Sequence, residues 1–182
     1  MNNDTKPVPF QGLYEWMQSI VIVFLIVLAL LTFVGRTMGV HGSSMMPTLF
    51  ERDRMIVRSI FYTPAQGDLI VFARNGFEEG AALVKRVIAL EGDVVDINTT
   101  TGFVYVNGIP LHEPYTMERT HSPMTTNFPF TVPEGHVFVL GDNRQGSTDS
   151  RDIEIGAVDK REIIGQVVAV VLPFHRARLF LH

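Results

Sequence analysis

The sequence predicts a mainly β protein, with antiparallel sheets closing into a barrel-like domain behind one N-terminal transmembrane helix. Three observations carry that expectation. An uncharged run occupies Trp16–Gly35. Beyond it, short segments rich in Val and Ile alternate with turn residues. No helical stretch separates those segments, which argues against a βαβ fold.

The run reads WMQSIVIVFLIVLALLTFVG. As a helix it spans about 30 Å, the thickness of a bilayer's hydrocarbon core. Tyr14 and Trp16 stand at one edge, where aromatic rings favour the headgroup region, and Glu15 and Arg36 bracket the span. A cleaved leader has a shorter apolar region and an A-x-A-like site, which Thr37-Met38-Gly39 does not supply. A buried core helix usually shows one polar face. The expected organisation is a tail over residues 1–15, an anchor over 16–35 and a β domain over 36–182. Lys6 precedes the span and Arg36, Arg52 and Arg54 follow it, so charge alone leans weakly toward a cytoplasmic C-terminal side.

In the β domain the expected strands are Met55–Ile60, Asp68–Ala73, Ala82–Leu90, Val94–Ile97, Phe103–Val106, Ile109–Leu111, Phe128–Val132, Val137–Leu140 and Ile163–Val171. Asn107-Gly108 favours a two-residue type I′ hairpin turn. His112–Asn127 is polar, contains two prolines, and reads as a surface loop or insertion. The chain has no cysteine, which excludes disulfides, a thiol nucleophile and cysteine-bound metal. None of the six histidines pairs at the i,i+4 spacing of a helical metal site, so a metal is not expected. With 15 basic and 19 acidic residues there is no basic excess to draw nucleic acid.

Three segments bear chemistry. Ser43 and Ser44 lie just past the anchor in a small-residue stretch, which by composition suits a turn or cap as well as a nucleophile. Lys85 and Arg86 sit side by side in an apolar strand, where alternation sends them to opposite faces. A lysine there either snorkels to water or is desolvated, and burial disfavours its charged form. Only the neutral amine can take a proton from a hydroxyl. The polar loop Gly141–Arg151 contains Asp149 and Arg151, which are placed to form an ion pair.

Taken in order, four boxes resemble those of bacterial type I signal peptidases, the leader peptidases. They are Ser44-Met45-x-Pro47-Thr48-Leu49, Gly67-Asp68-Leu69-Ile70-Val71-Phe72, Lys85 through Asp93, and Gly141-Asp142-Asn143-Arg144 with Ser147-x-Asp149-Ser150-Arg151. The resemblance runs from the anchor to about Val171, and the single anchor and compact size resemble the Gram-positive enzymes. It implies a mainly β catalytic domain of two antiparallel sheets and no cofactor. It implies Ser44 as nucleophile, Lys85 as general base and Ser147 as the group orienting the amine. Asp142, Asn143, Asp149 and Arg151 are implied to support the Ser147 loop. Val40, Met45, Leu49 and Val84 are implied to line the pocket for a small substrate residue. Gly42 stands where the Gram-negative pattern has a serine hydroxyl facing the oxyanion, leaving the Ser44 N–H as the donor carried over.

The implied activity is removal of signal peptides from secretory preproteins through an acyl-enzyme. The implied place is the bacterial cell membrane, single-pass, with the catalytic domain outside the cytoplasm, against the weak charge bias. The residues alone leave two rivals open. One is a soluble Ser/Lys self-cleaving regulator, which the Trp16–Gly35 run opposes. The other is an anchored β domain that binds partners without catalysis.

Overall fold

The computed structural model describes residues 11–33, 36–74 and 81–180. Among the described residues one α-helix, α1 (Gln11–Phe33), precedes twelve strands. The expected tail over 1–15 therefore turns helical from Gln11, while residues 1–10 and the last two residues of the expected anchor lie outside the described residues. Side chains of α1 are described for residues 12–27. Among the described residues no helix is long and apolar enough to cross a membrane.

The strands are β1 (Arg36–Gly39), β2 (Arg54–Arg58), β3 (Leu69–Ala73), β4 (Ala82–Ala89), β5 (Val94–Asn98), β6 (Phe103–Val106), β7 (Ile109–Pro110), β8 (Phe130–Thr131), β9 (His136–Leu140), β10 (Val158–Asp159), β11 (Ile163–Leu172) and β12 (Arg178–Leu179). The larger sheet runs β1-β2-β11-β3-β4-β9-β10, with β12 paired to β11, and the smaller runs β7-β6-β5-β8. Every pairing is antiparallel. The fold is thus mainly antiparallel β with one helix. The expected barrel closure is corrected: among the described residues both sheets end on open edges. The larger sheet ends on β1 and β10, which are not paired with each other.

Asn107 and Gly108 both have positive φ, 54° and 79°, as the type I′ turn between β6 and β7 requires. β1, β10 and β12 had no counterpart among the expected strands. β1 reads Arg-Thr-Met-Gly, a mostly exposed edge without the Val/Ile pattern, and the other two are two-residue pairings.

Two apolar clusters position the site. Val40, Met45 and Leu49 pack with Met55, Val57, Leu69, Val71, Val167 and Val170, so the segment after β1 is pinned to the larger sheet. Ile88, Phe138 and Leu140 of the larger sheet pack with Val95, Ile97, Val104 and Val106 of the smaller, joining the two sheets. Burying side chains of this size is worth about 1.5–3 kcal/mol each, which fixes β4 and β9 firmly between them.

Candidate active site

β4 lies between β3 and β9, with Lys85 opposite Ile70 and Arg86 opposite Leu69. Neighbouring residues of a strand face opposite ways, and the two cations part accordingly. Lys85 is only 3% exposed, and its Nζ donates to Ser44 Oγ at 2.8 Å. Arg86 forms a buried bidentate pair with Asp142, at 2.8 and 2.6 Å, and donates to the Gly67 carbonyl.

Ser44 is placed by what surrounds it in sequence. Val40 exchanges backbone bonds with Arg52 and Asp53, closing the loop that follows β1. Gly42 turns the chain at φ 79°, a conformation in which a serine side chain is strained. Met45 and Leu49 then anchor the segment in the core, at 2% and 0% exposure, leaving Ser44 half-buried between. A cleft of about 540 Å³ opens beside it, lined by Val40, Met45, Val84, Ser44 and Lys85. Leu49 departs from its expected place: it sits wholly in the core and is not part of that lining.

The 141–151 loop closes the site from β9. Asn143 N donates to the Ser44 carbonyl at 3.0 Å and its side-chain amide to the Ser43 carbonyl at 3.2 Å. Asp149 accepts from Gly141 N at 2.9 Å and pairs with Arg151 through two bonds, at 2.8 and 2.9 Å. Arg151 Nη2 also reaches the carbonyls of Arg144 and Ser147. The Asp149–Arg151 ion pair expected from the sequence is therefore formed. Ser147 is buried, yet its Oγ has no hydrogen-bond partner, so a bond to the Lys85 amine is not made in this structure. It packs where Gly141 lacks a side chain: a Cβ there would lie 2.1 Å from Ser147 Oγ and 2.6 Å from the Ser44 carbonyl oxygen. Glycine at 141 is what lets the two serine segments meet.

A family model described as signal peptidase, peptidase S26, matches residues 13–172. The chain belongs to that family. This signal peptidase is accordingly a hydrolase of the kind that removes signal peptides. It is 37% identical to a probable signal peptidase I-1 of Synechocystis sp., over 97% of this chain and 91% of that one. It is 36% identical to signal peptidase I of Bacillus licheniformis, over 92% of both. A solved signal peptidase I from Enterococcus faecalis V583 is 31% identical, covering 58% of this chain and 97% of that chain, with a TM-score of 0.48.

Sequence reasoning missed a second set of residues in this signal peptidase. Arg144 donates to the Gly141 carbonyl and to Glu113 through two nitrogens, and Thr120, wholly buried, accepts from it as well. Burial opposes the Arg144 charge, but the Glu113 hydrogen bonds and charge hold the guanidinium above its ordinary value. Arg86 stacks over the Tyr115 ring at 3.9 Å. Burial, with the Glu113 charge adding to it, pushes the Tyr115 phenol up. The His112–Asn127 segment is a mostly exposed loop without helix or strand, and through Glu113 and Thr120 it straps over the 141–151 loop. The only trace in the sequence was an arginine in that loop beyond the one Asp149 could pair.

Breaking the Arg86–Asp142 pair is expected to be costly. Asp142→Ala leaves a buried guanidinium without its counterion, a loss of about 3–5 kcal/mol. Urea unfolding in detergent should show it, and Arg86→Met with Asp142→Leu should recover most of it.

Proposed function

We propose that this chain is a membrane-anchored serine endopeptidase that cleaves signal peptides from secretory preproteins through an acyl-enzyme, with Ser44 as nucleophile and Lys85 as general base. The observation that carries the reading is the 2.8 Å contact between Lys85 Nζ and Ser44 Oγ beside the cleft that Val40, Met45 and Val84 help to line. Neutral Lys85 takes the Ser44 proton as Oγ attacks the scissile carbonyl. The Ser44 N–H donates to the oxyanion, and such donors are worth about 3 kcal/mol each. Lys85 then gives its proton to the leaving amine, and later deprotonates the water that releases the acyl group. Val40, Met45 and Val84 shape the cleft for a small residue such as alanine before the cut bond. No cofactor takes part.

The anchor belongs to the same reading. Trp16–Gly35 is uncharged and long enough to span a bilayer as a helix. A single pass then sets Ser44 within ten residues of the lipid, on the extracytoplasmic side, where the emerging signal peptide's cleavage site lies. Incubating the full chain in detergent with a signal-bearing precursor, and weighing the products, tests the reading. One cut after a small residue supports it; no cut, or cuts scattered along the precursor, opposes it.

Ser147 is proposed to take up the Lys85 amine during the reaction, when the proton transfer needs the lone pair held on line. A lost buried hydrogen bond is worth about 1–3 kcal/mol, so Ser147→Ala is expected to lower kcat about 10- to 100-fold, with KM little changed. Because the hydroxyl is unpartnered at rest, the variant should not be less stable. Steady-state kinetics on an alanine-containing peptide, with a melting curve, checks both halves.

A further inference from the structure

We infer that Asp68 is a positioning residue for the reaction: its buried carboxylate fixes the part of β4 that carries Lys85. The inference rests on the reading of Lys85 as the general base. Toward its end β4 loses regular support on both sides. Its pairing with β3 ends at Arg86, and its pairing with β9 shifts register between Val87 and Ala89. The turn before β3 takes over there. Gly67 N donates to the Val87 carbonyl and Val87 N to the Asp68 carbonyl, both at 2.8 Å. Gln66 Nε2 donates to the Ile88 carbonyl at 2.8 Å, and Arg86 Nη1 to the Gly67 carbonyl at 2.9 Å. Residues 66–68 thus hold Arg86, Val87 and Ile88, which directly follow Lys85.

One carboxylate holds that turn in place. Asp68 is only 3% exposed. Its Oδ2 accepts from the Tyr62 hydroxyl at 2.7 Å and from Ala65 N at 2.9 Å, and its Oδ1 from Gln166 Nε2 at 2.7 Å. Gln166 sits on β11 between Ile70 of β3 and Arg58 of β2, and its Oε1 accepts from Arg58 at 2.7 Å. These donors meet the cost of burying the carboxylate, and they tie the turn to the 62–65 segment, to β11 and, through Gln166, to β2. Burial, with the Asp68 bond and charge adding to it, pushes the Tyr62 phenol up, which keeps it a donor.

The consequence falls on the lysine. Ser44 is placed separately, by Met45, Leu49 and Asn143, so the 2.8 Å contact between Lys85 and Ser44 depends on where β4 sets the amine. An error of about 1 Å in such a placement costs roughly 100-fold in rate. Substrate binding should not follow. Among the described residues the cleft lining includes none of Tyr62, Asp68 and Gln166, and Val84, which belongs to it, pairs with Val71 on the regular ladder.

The test is kinetic, on the full chain in detergent with an alanine-containing peptide. Asp68→Asn keeps an oxygen for Tyr62 and Ala65 but sets its amide NH₂ against that of Gln166. It is expected to lower kcat about 10- to 100-fold with KM unchanged. Adding Gln166→Glu reverses donor and acceptor across the same contact and gives Arg58 a carboxylate, so kcat should recover most of the loss. An unchanged kcat in Asp68→Asn, a higher KM in place of a lower kcat, or no recovery in the double variant overturns the inference. If Asp68→Asn does not fold, Tyr62→Phe removes one donor to the same carboxylate and is read by the same split between kcat and KM. The Lys85→Met background separates this inference from the reading beneath it. With the base gone, Asp68→Asn should cost no further activity on an activated alanine ester, and a further loss of the same size overturns the inference. If Lys85→Met alone cleaves at the parental rate, it is the assignment of the base that fails.

Discussion

Ser44→Ala is expected to abolish precursor cleavage while leaving a folded protein. Removing the nucleophile of a serine hydrolase costs roughly four to six orders of magnitude in kcat. The side chain lost is one hydroxyl, and the segment stays pinned by Met45, Leu49 and the Asn143 bonds to the Ser43 and Ser44 carbonyls. Ser43→Ala is the matched control. Ser43 is exposed, and the Asn143 side chain contacts its carbonyl, which the substitution keeps. Cleavage of a precursor followed by gel or mass should show the first variant dead and the second close to the parent. The reverse pattern would move the nucleophile to Ser43.

Lys85→Arg is expected to be nearly as damaging although it preserves charge. Guanidinium stays protonated in proteins and cannot accept the Ser44 proton. General base catalysis contributes about 10²–10⁴ in rate, and losing it should lower kcat by that much. A planar guanidinium must also fit where a buried ammonium stem lay at 3% exposure. Lys85→Met, of similar length and without a proton acceptor, should fail equally and unfold no more easily. If Lys85→Arg retains full activity, lysine is not the base.

Much of this was legible in the chain, for identifiable reasons. The strands from β2 to β6, β9 and β11 follow Val/Ile patterning bounded by Gly-Asp and Asn-Gly turns, and local pattern sufficed. The alternation of Lys85 and Arg86 followed from strand geometry, and their different partners confirm it. The meeting of Ser44 with Lys85 bridges 41 positions of sequence; family resemblance suggested it where periodicity could not. Glu113 and Arg144 are 31 positions apart in two segments that look like ordinary polar loops. Only the packing of the strap against the loop after β9 reveals their pairing. The open sheets have a similar origin: edge strands of two to four residues carry too few side chains to leave a pattern.

Trapping the acyl-enzyme tests the central claim most directly. A peptide ester ending in alanine is mixed with the enzyme and quenched with acid during turnover, and the digested enzyme is mapped by mass. The account predicts the acyl group on the peptide that contains Ser44, and no adduct when Ser44 is alanine. Turnover with no covalent adduct, or an adduct on any other residue, would contradict it.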